Sequence, residues 1–244
     1  MTRGARGYTR RMRAAAALLA AVLAAGSAQA QTTKRPSATR RPTPPAPPVL
    51  KKEPATVACP AALGPGVKTG RTFCDVLATR DPAEGIAVTI PPHDGEATLS
   101  FDLHNRHTYS EQQARAGRAF AEYTATILVV GPDNQILARA AVTSAFRSAA
   151  DLVDRVGGGA GPGGVKAVAP IGTEPITVVV PAAATEVRLL GERLTVHGFD
   201  GRSVFTATGR PVAIVSNVEV EYRPSRAKRP PARKPTTKPR TSGR

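Results

Sequence analysis

The sequence predicts a mostly β protein: an antiparallel β-sandwich, Ig-like or jelly-roll-like in architecture, with one or two short helices and with disordered, basic, proline-rich segments on either side. Three observations lead there. Between Cys59 and Tyr222 the apolar residues recur mostly with a period of two, turn residues break the runs at short spacing, and helix signals are few. No internal repeat is present, which argues against a propeller or solenoid.

The chain begins with Arg3, Arg6, Arg10, Arg11 and Arg13, continues with an apolar run from Ala14 to Ala25, and reaches Ala28-Gln29-Ala30 before Gln31. A positive region, an apolar stretch and a small-x-small site are the parts of a secretory signal peptide, which the sequence predicts over residues 1–30. The other reading, an N-terminal membrane anchor, asks for roughly 20 apolar residues, and the run is shorter. Arg10-Arg11 is a weaker match to a twin-arginine signal. The expected location is therefore outside the cytoplasm, periplasmic or secreted, with no membrane span after signal removal.

Residues 31–58 carry prolines at 36, 42, 44, 45, 47, 48 and 54 with six basic residues and one acidic. Such a stretch buries too little apolar surface to offset its ordering entropy and is predicted to be a disordered, extended linker. Residues 59–222 form the expected sandwich domain. Its cysteines, Cys59 and Cys74, are the only two in the chain, and in an oxidising compartment they admit one pairing. A Cys59–Cys74 disulfide is predicted. The other reading, an exchanging thiol pair, sits badly with a spacing far from Cys-x-x-Cys.

Strands follow in order. Ile86, Val88 and Ile90 alternate before Pro91-Pro92, and Leu99, Phe101 and Leu103 alternate with Thr98, Ser100 and Asp102. Further strands are predicted over Tyr123–Val130, Ile136–Phe146, Ile176–Val180, Val187–Leu190, Leu194–Phe199, Ser203–Thr206, Pro211–Ser216 and Val218–Tyr222. Gly131-Pro132-Asp133-Asn134 and Asp200-Gly201 supply turns between them. Ser110-x-x-Gln113 has the form of a capping box and predicts a short helix over Glu111–Gly117; a second is predicted over Ser148–Arg155. The run Gly157-Gly158-Gly159-Ala160-Gly161-Pro162-Gly163-Gly164-Val165-Lys166 lacks the Gly-Lys-Ser/Thr that a phosphate cradle requires and reads as a loop.

The net charge of +16 is unevenly placed. Residues 59–222 hold 14 basic and 17 acidic residues, while 223–244 hold nine basic and none acidic. The excess belongs to the ends, so a basic nucleic-acid face on the fold is not implied. In the expected tail, Arg223, Arg226, Lys228, Arg229, Arg233, Lys234, Lys238 and Arg240 are the candidates for contact with anionic envelope polymers, lipid headgroups or an acidic partner. No specific nucleic acid is expected as a partner, and no cofactor.

The most chemical stretch is His93-Asp94 followed by Asp102-Leu103-His104-Asn105-Arg106-His107. If Leu99, Phe101 and Leu103 point inward, a period of two puts Asp102 and His104 together on the outward face, where a turn at the strand end would bring His107 around. Asp102 and His104 are thus the candidate catalytic pair, and His93, His104 and His107 the candidate metal ligands, imidazole and carboxylate being suited to zinc-like ions and to acid–base work. Nothing in the sequence supplies a nucleophile for them: there is no Gly-x-Ser-x-Gly and no His-Glu-x-x-His. The absence of Trp and the scarcity of Tyr speak against a stacked sugar or base site. Two functions follow as expectations: a non-catalytic exported binding or structural module, or a hydrolase built on the Asp102/His104/His107/His93 cluster.

Overall fold

The computed structural model describes residues 49–157 and 166–225. In chain order the strands are β1 (Lys51–Pro54), β2 (Thr56–Ala58), β3 (Ala62–Pro65), β4 (Thr72–Leu77), β5 (Ile86–Thr89) and β6 (Ala97–Ser110); then, after helix α1 (Glu111–Arg115), β7 (Ala121–Val130), β8 (Ile136–Phe146), β9 (Lys166–Val180), β10 (Glu186–Gly198), β11 (Gly201–Phe205) and β12 (Pro211–Tyr222). They form two six-stranded sheets. The first has the order β3-β4-β12-β6-β9 with β1 paired to β12, and the second β2-β5-β10-β7-β8 with β11 paired to β10. Each strand pair within the sheets is antiparallel.

Alternation explains what holds the sheets together. On β6 the odd residues Leu99, Phe101 and Leu103 are buried, and on β7 the odd residues Tyr123, Ala125, Ile127 and Val129 are buried; all belong to one hydrophobic core with Val88, Leu189 and Val215. Each buried Leu, Ile, Val or Phe among them contributes about 1.5–3 kcal/mol by leaving water. The predicted Cys59–Cys74 disulfide is present and ties the segment after β2 to β4.

Several boundaries differ from the expected ones. The linker predicted to run to Ala58 ends earlier, because Lys51–Pro54 pairs with Glu219–Tyr222 and Thr56–Ala58 pairs with Ala87–Thr89. Lys51 bonds Glu53 and Lys52 bonds Glu219 at 2.8 Å, so two charges that read as linker are the polar dress of an edge strand. The helix predicted over Ser148–Arg155 shrinks to one 3-10 turn, Ala149–Asp151, capped by Ser148 and Asp151. The backbone beyond it pairs sideways with β9 instead: Val153 donates to Pro170 and Val156 to Val168. Helix α1 forms as predicted, with Ser110 Oγ capping Gln113 N, and ends at Arg115.

The expected signal peptide, residues 31–48 of the expected linker, the glycine-rich stretch 158–165 and the tail from residue 226 onward lie outside the described residues. Among the described residues no helix is long and apolar enough to cross a membrane.

Candidate functional site

Strand β6 carries the predicted residues, and it does not end where the sequence suggested. It runs on through His107 to Ser110, so no turn folds His107 back over His104. Period two then separates them: Asp102, His104 and Arg106 face away from the partner sheet, whereas Leu103, Asn105 and His107 face into the core. The imidazole of His107 stacks on Phe146 of the opposite sheet with ring centroids 3.9 Å apart, while His104 meets Phe73 edge-on on the outer side at 5.8 Å. His93 lies elsewhere, its Nδ1 2.8 Å from the Pro91 carbonyl oxygen. The predicted metal set His93, His104 and His107 is thus not brought together. Among the described residues no group of three His, Cys, Asp or Glu is arranged to hold an ion.

Asp102 and His104 do share a face, as expected, yet they are not hydrogen-bonded to each other. The Asp102 carboxylate accepts from Asn217 Nδ2 at 2.6 Å and from Arg71 Nη1 at 3.3 Å. His104 Nδ1 donates to the Gly172 carbonyl oxygen at 2.7 Å, and since a carbonyl only accepts, this identifies the protonated nitrogen. Nε2 then accepts from the Ser216 hydroxyl at 2.9 Å. Burial holds the His104 pKa below its ordinary value, against the opposing pull of the Gly172 carbonyl and the Asp102 charge.

Two bulges build this geometry. Opposite Leu103–Asn105, β9 carries extra residues at Gly172-Thr173, and Gly172 adopts φ +65°. A side chain there would strike Ser144, so the position needs glycine both for its backbone and for its close approach to β8. The second bulge lies in β12 between Ser216 and Glu219, with Asn217 at φ 51°, and it aims the Asn217 amide at Asp102. Ser216 and Asn217 were not singled out from the sequence. Their signal there is only an Asn between two apolar runs, which reads equally well as a turn.

A serine hydroxyl on a histidine nitrogen is half of a nucleophilic device, and its surroundings decide what it does. Ser216 is 2% exposed and His104 0%. The cover is a small second core of Phe73, Val156 and Ile214 with Leu63 and Val168 against it. It is latched by Asp154, whose carboxylate accepts from the Lys68 and Thr69 amides at 2.9 and 2.7 Å and from the Thr69 hydroxyl at 2.6 Å. Both His104 nitrogens have hydrogen-bond partners, and the hydroxyl belongs to a residue that is almost wholly buried. The contact is a buried hydrogen bond that satisfies two polar groups.

The inward-facing polar residues form a separate knot. Asn105 Nδ2 donates to the carbonyls of Tyr123 and Val142, which fixes the orientation of its amide, and to Ser144 Oγ at 2.8 Å. His107 Nδ1 lies 2.6 Å from the Tyr123 hydroxyl, while its Nε2 and Asn105 Oδ1 have no partner among the described residues. Burial pushes the His107 pKa down to about 4 and the Tyr123 hydroxyl up to about 12, so both rings are neutral at physiological pH.

Of the expected anion-contact residues only Arg223 is described. It is exposed, and its carbonyl accepts from the Asp94 amide at 2.9 Å. Arg226, Lys228, Arg229, Arg233, Lys234, Lys238 and Arg240 lie outside the described residues. The chain matches no protein-family model and no curated protein sequence.

Proposed function

We propose that this protein is an exported, non-catalytic β-sandwich module of the cell envelope, held by its basic ends to anionic polymers or lipid headgroups. The observation that carries this reading is the division of charge: 59–222 holds 14 basic and 17 acidic residues, and 223–244 holds nine basic residues with no acid. Lys51 and Lys52 belong to the fold with their charges paired, which sharpens that division at the N-terminal boundary. A single disulfide in a chain with a signal-like start fits export. The hydrolase reading keeps only the His104–Ser216 contact in its favour, and both of those residues are buried.

Each Lys or Arg near an anionic leaflet contributes about 1 kcal/mol, within a Debye length of about 8 Å at physiological salt. Binding of the full chain to vesicles containing anionic lipid, or to lipopolysaccharide, is therefore expected to weaken at least tenfold between roughly 50 mM and roughly 500 mM salt. Changing the eight tail residues named above to Gln is expected to abolish it without shifting the melting temperature. Salt-insensitive binding that survives those changes would overturn the proposal.

A further inference from the structure

The outward face of the second sheet forms a groove of about 1070 Å³ across β8, β7 and β10. Its walls are the β4–β5 connection, through Thr79 and Arg80, and the β11–β12 connection, through Thr206 and Thr208. The first wall stands where it does because Gly191 has no side chain. A Cβ there would lie 2.7 Å from the Leu77 carbonyl oxygen, and the Thr79 amide donates to the Gly191 carbonyl at 3.2 Å.

Cross-strand register orders the floor. Val130 and Ile136 form one row, Leu190, Leu128 and Arg139 the next, and Arg193, Thr126 and Ala141 the third. Along β7 the rows lie two residues apart, roughly 7 Å. The apolar side chains thus occupy the end nearest the β7–β8 turn, where Ile136 is 54% exposed, and the polar ones the other end. Charge follows the same gradient. Arg139 is paired at 2.9 Å with Glu192, which also lines the groove, whereas Arg80 and Arg193 make no ion pair among the described residues. Arg80 stands beside the Gly191 bulge and Arg193 follows it, so the two uncompensated guanidinium groups flank the polar end.

We propose that this groove binds a single anionic amphiphile, with a carboxylate or phosphate head between Arg80 and Arg193 and a short aliphatic chain over Leu128, Leu190 and Ile136. Guanidinium groups are matched to these oxyanions by their planar donor fork, and an apolar floor with a few placed polar groups is the ordinary composition of a small-molecule site. Among the described residues no aromatic side chain lines it, so the stacking that a sugar or base would use is not offered. Loops on both sides make the face concave, so the occupant is a monomer and not a flat bilayer. The site lies on the folded domain and owes nothing to the tails.

The test is calorimetric titration of the full chain with octyl phosphate below its micelle concentration, with inorganic phosphate and octanol as half-ligands. Octyl phosphate is expected to bind at least tenfold more tightly than either half. Arg80→Ala with Arg193→Ala together is expected to weaken it at least tenfold, and Ile136→Ser about threefold, with melting temperatures unchanged. The chain with its eight tail residues changed to Gln is expected to retain full affinity, which separates this site from the tail contacts. Phosphate binding as tightly as octyl phosphate, affinity indifferent to the double arginine change, or binding to anionic vesicles without binding to the monomer would each overturn the proposal.

Discussion

His107 of one sheet and Phe146 of the other lie nearly parallel, 17° between ring planes and 3.9 Å between centroids, so that an imidazole takes the place of a hydrocarbon at the centre of the core. Its neutral form is what the core tolerates. The folded pKa, lowered to about 4 by burial, is below the unfolded value of about 6.5. Between those pH values the unfolded chain binds a proton that the folded chain refuses, so stability is complete above about pH 6.5 and is lost as pH falls toward 4.

The loss assigned to His107 is on the order of 3 kcal/mol. His104, whose pKa burial also lowers, adds a loss of the same sign. Urea unfolding at pH 7 and pH 4.5 is expected to show a smaller pH dependence for His107→Phe than for the unaltered protein. Equal dependence in the two would remove His107 from the account.

Asp154 behaves in the opposite chemical sense with the same direction in pH. Burial alone would raise its pKa, but the Thr69 hydroxyl and the amides of Lys68, Thr69 and Arg155 overcome that and hold it at about 2. Its contribution is present above an unfolded pKa of about 3.9 and disappears as pH falls toward 2. Asp154→Asn places an NH2 against amide donors and is expected to cost about 1–3 kcal/mol. Amide exchange at Lys68 and Thr69 is expected to accelerate more than exchange in β7, which would show the latch opening on its own.

Cys59–Cys74 closes a loop with a sequence separation of 15. In the chain-entropy model a loop of that size stabilises by about 3 kcal/mol. Cys59→Ser with Cys74→Ser is expected to lower the denaturant midpoint accordingly, and added reductant is expected to move the unaltered protein and leave the variant where it is.

Gly172→Ala combines a left-handed backbone with a Cβ 2.7 Å from Ser144 Cβ. The cost expected is about 2 kcal/mol or more. Because the Gly172 carbonyl holds His104 Nδ1 and Ser144 holds Asn105, the NMR signals of both side chains are expected to shift along with the melting temperature.

Legibility in the sequence followed period and length. Ile136–Phe146 matches β8 to the residue, and the runs at Val187–Leu190 and Leu194–Phe199 were read correctly as strands but as two, because the Gly191–Arg193 bulge interrupts alternation without ending β10. The same holds for β12, broken in the pattern at Asn217 yet continuous in the sheet. Strands β1 to β3 carry few apolar residues, since they are short edge or flanking strands, and composition disguised them as linker and loop. At the site, alternation did place Asp102 and His104 on one face. It gave no means of knowing that Phe73 and Val156, distant in sequence, cover that face, or that β6 continues past His107 and sends it into the core.

Strand β1 pairs with the last residues of β12, Lys51 opposite Tyr222, so the first and last strands of the described residues have their outer ends side by side. Under tension applied at both ends this is a zipper and not a shear clamp: the rungs from Lys51 to Pro54 carry the load one after another and yield at low force. The next attachments are the Ala55 amide on the Val218 carbonyl and the three residue pairs of β2 with β5. Peeling from that side then halts at Cys59, which is covalently fixed to Cys74 in β4. Under strain the N-terminal side would thus give up β1 and β2 and no more, with the disulfide acting as a mechanical stop on that side.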